Sequence, residues 1–161
     1  MSGTPQVRLR LTAVVVAAVL VVDQITKHWA VTSLPGRDPV HVVWTLQWNL
    51  AFNSGMSFSK GKSLGVVIGC IAIAVTAYVW WMVRRNTSPL VAVAAGLVMG
   101  GALGNVVDRM FRNKAWMRGS VVDFIDFQWF PIFNVADMAV NVGAGLFVIW
   151  SLVGAKRAVP S

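Results

Sequence analysis

Residues 64–83 read LGVVIGCIAIAVTAYVWWMV. None of these side chains is charged, and the run matches the roughly 20 residues a helix needs to cross about 30 Å of hydrocarbon. Three further apolar runs, Leu11–Val22, Leu90–Val107 and Ala136–Val153, repeat the signal. The first is the shortest, and it reaches spanning length when Arg10 and Asp23–Thr26 are placed at the interfaces. Arg8 and Arg10 precede it as they would in a signal peptide, but no small-residue cleavage site follows and Asp23–Lys27 continues the helical pattern. It reads as a retained span. The expectation is one integral membrane domain over residues 1–161, with spans at about 10–28, 64–83, 90–108 and 136–154. Segments 29–63 and 109–135 then lie on one side and both termini on the other. Composition agrees: the 161 residues are 57% hydrophobic and 12% charged, against about 25% charged in a soluble domain.

The net charge of +8 fits basic residues flanking spans, and nucleic-acid binding is not expected. The chain has one cysteine, Cys70, in the middle of a span, and two histidines. That supply excludes an intrachain disulfide and argues against a zinc site. Val67-Ile68-Gly69-Cys70 resembles a lipoprotein cleavage box, but its place inside a second span makes it a chance match. Counting basic residues on the two sides does not fix the orientation. Arg84 and Arg85, packed into a short turn before Pro89, favour cytoplasmic termini.

The acids are more informative. All six are Asp: Asp23, Asp38, Asp108, Asp123, Asp126 and Asp137. Asp23 is placed at the end of span one, Asp108 at the end of span three and Asp137 at the start of span four. Alternating helices bring those three to one face of the membrane. Carboxylates at membrane depth are costly and mark function by default. Between the spans, Trp44–Phe52 alternates apolar and mostly polar residues, the pattern of a strand with one greasy face. Asn53-Ser54-Gly55 then turns the chain. In span three, Gly96, Gly100 and Gly104 recur every fourth residue, a stripe that lets another helix approach closely.

Two carboxyls held close in a poorly solvated site cannot both ionise and share one proton. One takes a proton from water while the other donates to a carbonyl oxygen, which is aspartic peptidase chemistry. Asp137, beside Asn134 at a helix start, suits one half. Asp123 or Asp126 supplies the other, both on what reads as an irregular segment, and spacing does not choose between them. Structural readings compete: Asp23–Lys27 as an i,i+4 ion pair, Asp108–Arg109 as an ion pair, and Asp137 as a helix cap. Two other mechanisms compete as well. Ser57 or Ser59 with Lys27 would make a Ser–Lys peptidase, although Lys27 already has a carboxylate partner. The acids could instead form a proton or cation path, although none lies midway along a span and transporters use midplane sites.

Five blocks in order resemble the bacterial lipoprotein signal peptidase (signal peptidase II) family of membrane aspartic endopeptidases. They are Asp23-Gln24-Ile25-Thr26-Lys27, Asn53–Ser59, Gly100–Arg109, Val121-Val122-Asp123-Phe124 and Phe133–Asp137. The resemblance implies an all-α membrane protein of four transmembrane helices with a small extracytoplasmic β-cradle and a short interfacial helix. It implies location in the bacterial cytoplasmic membrane, cytoplasmic termini and an active site at the extracytoplasmic face. Its implied substrate is a prolipoprotein carrying a diacylglyceryl-cysteine, cut just before that cysteine among membrane lipids, with no cofactor and with sensitivity to globomycin. The catalytic pair would be Asp123 and Asp137. Asp23, Lys27, Asn53, Gly55, Asn105, Asp108, Arg109 and Asn134 would bind substrate or support the site. Asp126 falls outside the matching positions. The chain departs from the family at Gly55-Met56-Ser57-Phe58-Ser59 and in the link from Arg109 to Val121.

Overall fold

The computed structural model describes residues 5–55, 64–86, 88–112 and 117–157. Four helices cross the length of the molecule: α1 (Pro5–Ser33), α2 (Leu64–Val83), α3 (Pro89–Phe111) and α4 (Val135–Arg157). All four are long and apolar enough to span a bilayer. Three strands, β1 (Val40–Val43), β2 (Leu46–Asn53) and β3 (Val121–Asp126), form one antiparallel sheet in that order. No fifth helix occurs among the described residues. Ser57 and Ser59 lie outside them.

α3 is the axis of the bundle. Most of its surface is buried, whereas the other helices turn Val, Ile, Leu and Trp outward, as helices solvated by lipid do. The glycine stripe explains how α3 becomes central. A Cβ on Gly96 or Gly100 would lie 2.6 or 2.7 Å from the Cβ of Val15 or Val19, and one on Gly104 would lie 2.6 Å from Asp23 Oδ2. Side chains four apart on α1 thus fit glycines four apart on α3, so the two helices run parallel. On another face, Gly101 packs on the Ala136 carbonyl and Gly143 on the Ala94 carbonyl, which sets α4 antiparallel. At the termini end, Val79, Val83, Val91, Ala95 and Val98 make an apolar core, and Thr12 Oγ1 donates to the Ala92 carbonyl at 3.1 Å. Asn86 Oδ1 accepts from the Ser88 N–H at 2.8 Å, and Pro89 opens α3, a position where its missing N–H costs nothing.

The sheet caps the opposite end. Trp48 and Leu50 of β2 pack with Ala30, Leu34, Val122 and Phe124, and Trp29, Trp48 and Phe124 touch edge-on or tilted at 5.6–6.1 Å. The alternation read over Trp44–Phe52 is realised as Leu46–Asn53. Trp44 itself sits in the β1–β2 turn at φ 58° and is 90% exposed. Two expectations are corrected. The segment holding Asp123 and Asp126 is not irregular: it is strand β3, paired with β2 through Ala51–Asp123 and Gln47–Asp126. Asp23 is not at a helix end, because α1 continues to Ser33; its charge is neutralised by buried partners, so the helix has no reason to stop there.

Candidate active site

The site begins with charges that the bundle buries. Lys27 Nζ lies 2.9 Å from Asp23 Oδ2, 2.9 Å from Asp108 Oδ2 and 2.8 Å from Asn105 Oδ1, with no exposure of the lysine or either aspartate. Both aspartates also hold backbone. Asp23 Oδ1 accepts from the Ala136 N–H at 2.9 Å, at the start of α4, and Asp108 Oδ2 accepts from the Val122 N–H at 3.1 Å, in β3. The ion cluster therefore fixes the two elements that carry Asp137 and Asp123. Buried ions persist only when paired and fully hydrogen-bonded, and these are. Asp108 completes its set with Arg112 Nε at 2.7 Å. Asp108 takes Arg112, one helical turn on, as its ion-pair partner instead of the adjacent Arg109.

Asn134 joins the two halves. It is fully buried and donates through Nδ2 to Asp123 Oδ1 at 2.6 Å. Its Oδ1 accepts from the Asp137 N–H at 3.0 Å, and its own N–H donates to Asp137 Oδ2 at 3.2 Å. That exchange is a capping box at the start of α4. Asp137 is thus a helix cap and a cavity-lining acid at once. Asn105 Nδ2 donates to Asp137 Oδ1 at 2.9 Å. The chain folds back between the two acids because Phe133 pairs with β3: the Phe124 and Ile125 N–H groups donate to its carbonyl at 3.0 and 2.9 Å. Aromatic rings at Phe127, Trp129, Phe130 and Phe133 pack on one another around this bend.

β3 separates the two acids that spacing left as alternatives. Side chains alternate along a strand, so Asp123 and Asp126 point to opposite faces. Asp123 faces a cavity of about 440 Å³ walled by Ile68, Ala72, Val75, Val98, Ala102 and Val106, into which Asn53, Asn105, Arg109 and Asp137 also reach. Burial, reinforced by the nearby Asp137 charge, raises the Asp123 carboxyl to about 6, although hydrogen bonding from Asn134 opposes the shift. Asp126 instead accepts from Gln47 Nε2 at 2.7 Å, Asn49 Nδ2 at 2.9 Å and the Gln128 N–H at 2.6 Å. Burial works to raise its carboxyl, but these donors hold it below the usual range. Asp126 clasps the sheet.

The remaining expected residues gather here too. Asn53 Oδ1 accepts from the Gly55 N–H at 2.9 Å, and Gly55 takes φ +79°, a backbone that glycine adopts without strain. Arg109 is 5% exposed, with one guanidinium nitrogen, Nη1, lacking a partner. Three contributors were not anticipated. Gln24 Nε2 bridges Asp23, Asp108 and the Gly104 carbonyl at 3.2–3.3 Å. Arg112 was legible from its i,i+4 spacing to Asp108. Asn141 lines both the cavity that Asp123 faces and a second one of about 510 Å³ beside Phe130, Phe133 and Met138. Among the described residues, no three His, Cys, Asp or Glu side chains form a metal-ligating group.

Comparison with known proteins places this arrangement. The family model for signal peptidase (SPase) II matches residues 15–153. A lipoprotein signal peptidase of Mycobacterium avium is 46% identical over 93% of this chain and 83% of its own length. One from Mycobacterium tuberculosis is 44% identical over 93% and 75%. A solved bacterial membrane enzyme superposes with a TM-score of 0.79 at 26% identity, covering 93% of this chain and 92% of its own. A second gives 0.74 at 28% identity, covering 88% and 92%. The fold, the four spans and the match along nearly the whole chain agree: this protein belongs to the signal peptidase II family.

Proposed function

We propose that the chain is an aspartic endopeptidase that removes signal peptides from diacylglyceryl-modified prolipoproteins, cutting just before the lipidated cysteine. The observation carrying this reading is the meeting of Asp123 and Asp137 on the wall of one largely apolar cavity, joined through Asn134. Two acids that share a proton in such a site have the right composition for peptide hydrolysis. One carboxylate takes a proton from water as the water oxygen attacks the scissile carbonyl carbon, and the other carboxyl protonates the carbonyl oxygen. The resulting gem-diol collapses when the first carboxyl passes its proton to the leaving nitrogen and the C–N bond breaks. The second recovers a proton from a gem-diol hydroxyl, so the pair ends with the one proton it began with. No cofactor takes part in this scheme.

Asp23, Lys27 and Asp108 would hold the two elements in register, and Asn53, Gly55, Asn105 and Asn134 would shape the polar end of the cavity. Arg109, with its unpartnered nitrogen, suits a substrate backbone carbonyl. The apolar cavity walls suit a signal-peptide helix, and the aromatic bend suits an outer leaflet where acyl chains stay in lipid. Cytoplasmic termini in the cytoplasmic membrane complete the picture, and globomycin should inhibit. Lys27 has all its donors engaged, which leaves none of them for a Ser–Lys mechanism. The transport alternative gains nothing from the family match or from polar groups that cluster at one end.

The test is cleavage by the purified enzyme of a precursor with and without the diacylglyceryl group, with products read by mass spectrometry. The modified precursor should yield a product beginning at the modified cysteine, and the unmodified one should stay intact. Equal cleavage of both would contradict the proposed substrate.

A further inference from the structure

The hydrogen bonds around the acid pair have a direction, and it starts at Lys27. An ammonium has three N–H donors and no acceptor. Lys27 spends all three on Asp23, Asp108 and Asn105 Oδ1 at 2.8–2.9 Å. Turning the Asn105 amide over would aim an NH2 group at an ammonium, so Asn105 must present its carbonyl there and its Nδ2 to Asp137 Oδ1, at 2.9 Å. Asn134 is fixed by the same logic. Its Oδ1 takes the Asp137 N–H at 3.0 Å, so its Nδ2 faces Asp123 Oδ1 at 2.6 Å and Asn105 Oδ1 at 3.3 Å. Both oxygens of Asp137 therefore meet oriented donors, Asn105 Nδ2 and the Asn134 N–H. Asp137 also sits in the first turn of α4, where the helix dipole favours a negative charge. Asp123 also accepts from Asn134 and Asn53, but it lies on a strand, 3% exposed, with no helix terminus to favour charge, whereas Asp137 is partly exposed.

We infer that Asp137 is the ionised member of the pair, that Asp123 holds the shared proton, and that Lys27 and Asn105 impose this order as positioning residues. The inference rests on the dyad reading above. It assigns the steps: Asp137 takes the proton from water and later gives it to the leaving nitrogen. Asp123 protonates the carbonyl oxygen and recovers its proton from the gem-diol. Among the described residues, Arg109 of α3 is the charged side chain that lines the cavity with the pair, Lys27 of α1 stands behind Asn105 with Asp23 and Asp108, and α2 lines the cavity with apolar side chains and Gly69 only.

The test is the pH profile of kcat/KM for Asn105→Ala in the full-length enzyme, with a diacylglyceryl-modified precursor. Removing one donor to the ionised acid should move the acid limb up by about one pH unit and leave the alkaline limb in place. Movement of the alkaline limb alone would put the proton on Asp137, and movement of neither limb would remove Asn105 from the role; either overturns the inference. If turnover is too slow, infrared titration of the carboxyl C=O bands absent from Asp123→Asn and Asp137→Asn reports the same two steps without substrate. Full cleavage by either of those Asp variants would instead sink the dyad itself, and the two failures are thus distinguishable.

Discussion

At Asp123, burial and the charge of Asp137 act in the same direction, and the fold bears the cost. A carboxyl raised to about 6 in the folded state and near 3.9 when unfolded favours folding least when both states are ionised. Stability is lost as pH rises through that window. Asp123→Asn should therefore melt at a higher temperature than the wild type above about pH 6, with the difference vanishing towards about pH 4; thermal melts at several pH values measure this. The same group should set the alkaline limb of kcat/KM at about 6, since the pair must keep one proton. Asp126 behaves oppositely. Its three donors stabilise the ionised form, a contribution present above the ordinary carboxylate range and lost on acidification. Asp126→Ala should cost on the order of 1–3 kcal/mol by leaving Gln47, Asn49 and the Gln128 N–H without an acceptor. A chemical-denaturation series, with kcat measured on the folded fraction, should show lower stability and little change in turnover. Spacing along the chain does not distinguish these two acids; the family resemblance favours Asp123, and the physical difference between them is the parity of a pleat.

Among the elements, legibility followed whether an element meets different chemistry on its two faces. β2 sets Trp48 and Leu50 on the apolar cluster and Gln47 and Asn49 on Asp126, so its alternation could be read. β3 is buried almost throughout, and VVDFID then has no polar–apolar contrast to betray a strand. β1 is short and at the edge. The spans were legible from hydropathy, yet α1 was read too short because Asp23 and Lys27 look like an end when taken singly. Their mutual neutralisation, and Asp108 from another helix, are tertiary facts. The glycine stripe was read as a packing face, and its partner could be found only in three dimensions. Gly104→Ala would drive a methyl into Asp23 Oδ2 and disturb the cluster that holds Ala136 and Lys27. It should destabilise by about 1–3 kcal/mol and reduce cleavage as well. Gly145→Ala meets nothing within 4 Å and should leave both unchanged. Paired melts and cleavage assays of the two variants check this.

For the whole molecule, the bundle gathers Asp23, Asp108, Asp123 and Asp137 towards one end, holds Arg8, Arg10, Arg84 and Arg85 at the other, and leaves apolar surface between. If the termini are cytoplasmic, Trp44 at the exposed hairpin turn faces outward and Arg84 faces the cytoplasm. In a Cys70→Ser background, an impermeant thiol reagent should label Trp44→Cys in intact cells and Arg84→Cys only after lysis. The reverse pattern would invert the topology. On this reading Asp123 and Asp137 act as one unit on a lipidated precursor. Cleavage of a diacylglyceryl-modified precursor by folded, purified Asp123→Asn and Asp137→Asn measures it most directly. Each variant should lose on the order of 10³-fold or more of the wild-type rate, and the double variant should lose little beyond that. Near-wild-type cleavage by either single variant would show that the two carboxyls are not a catalytic pair.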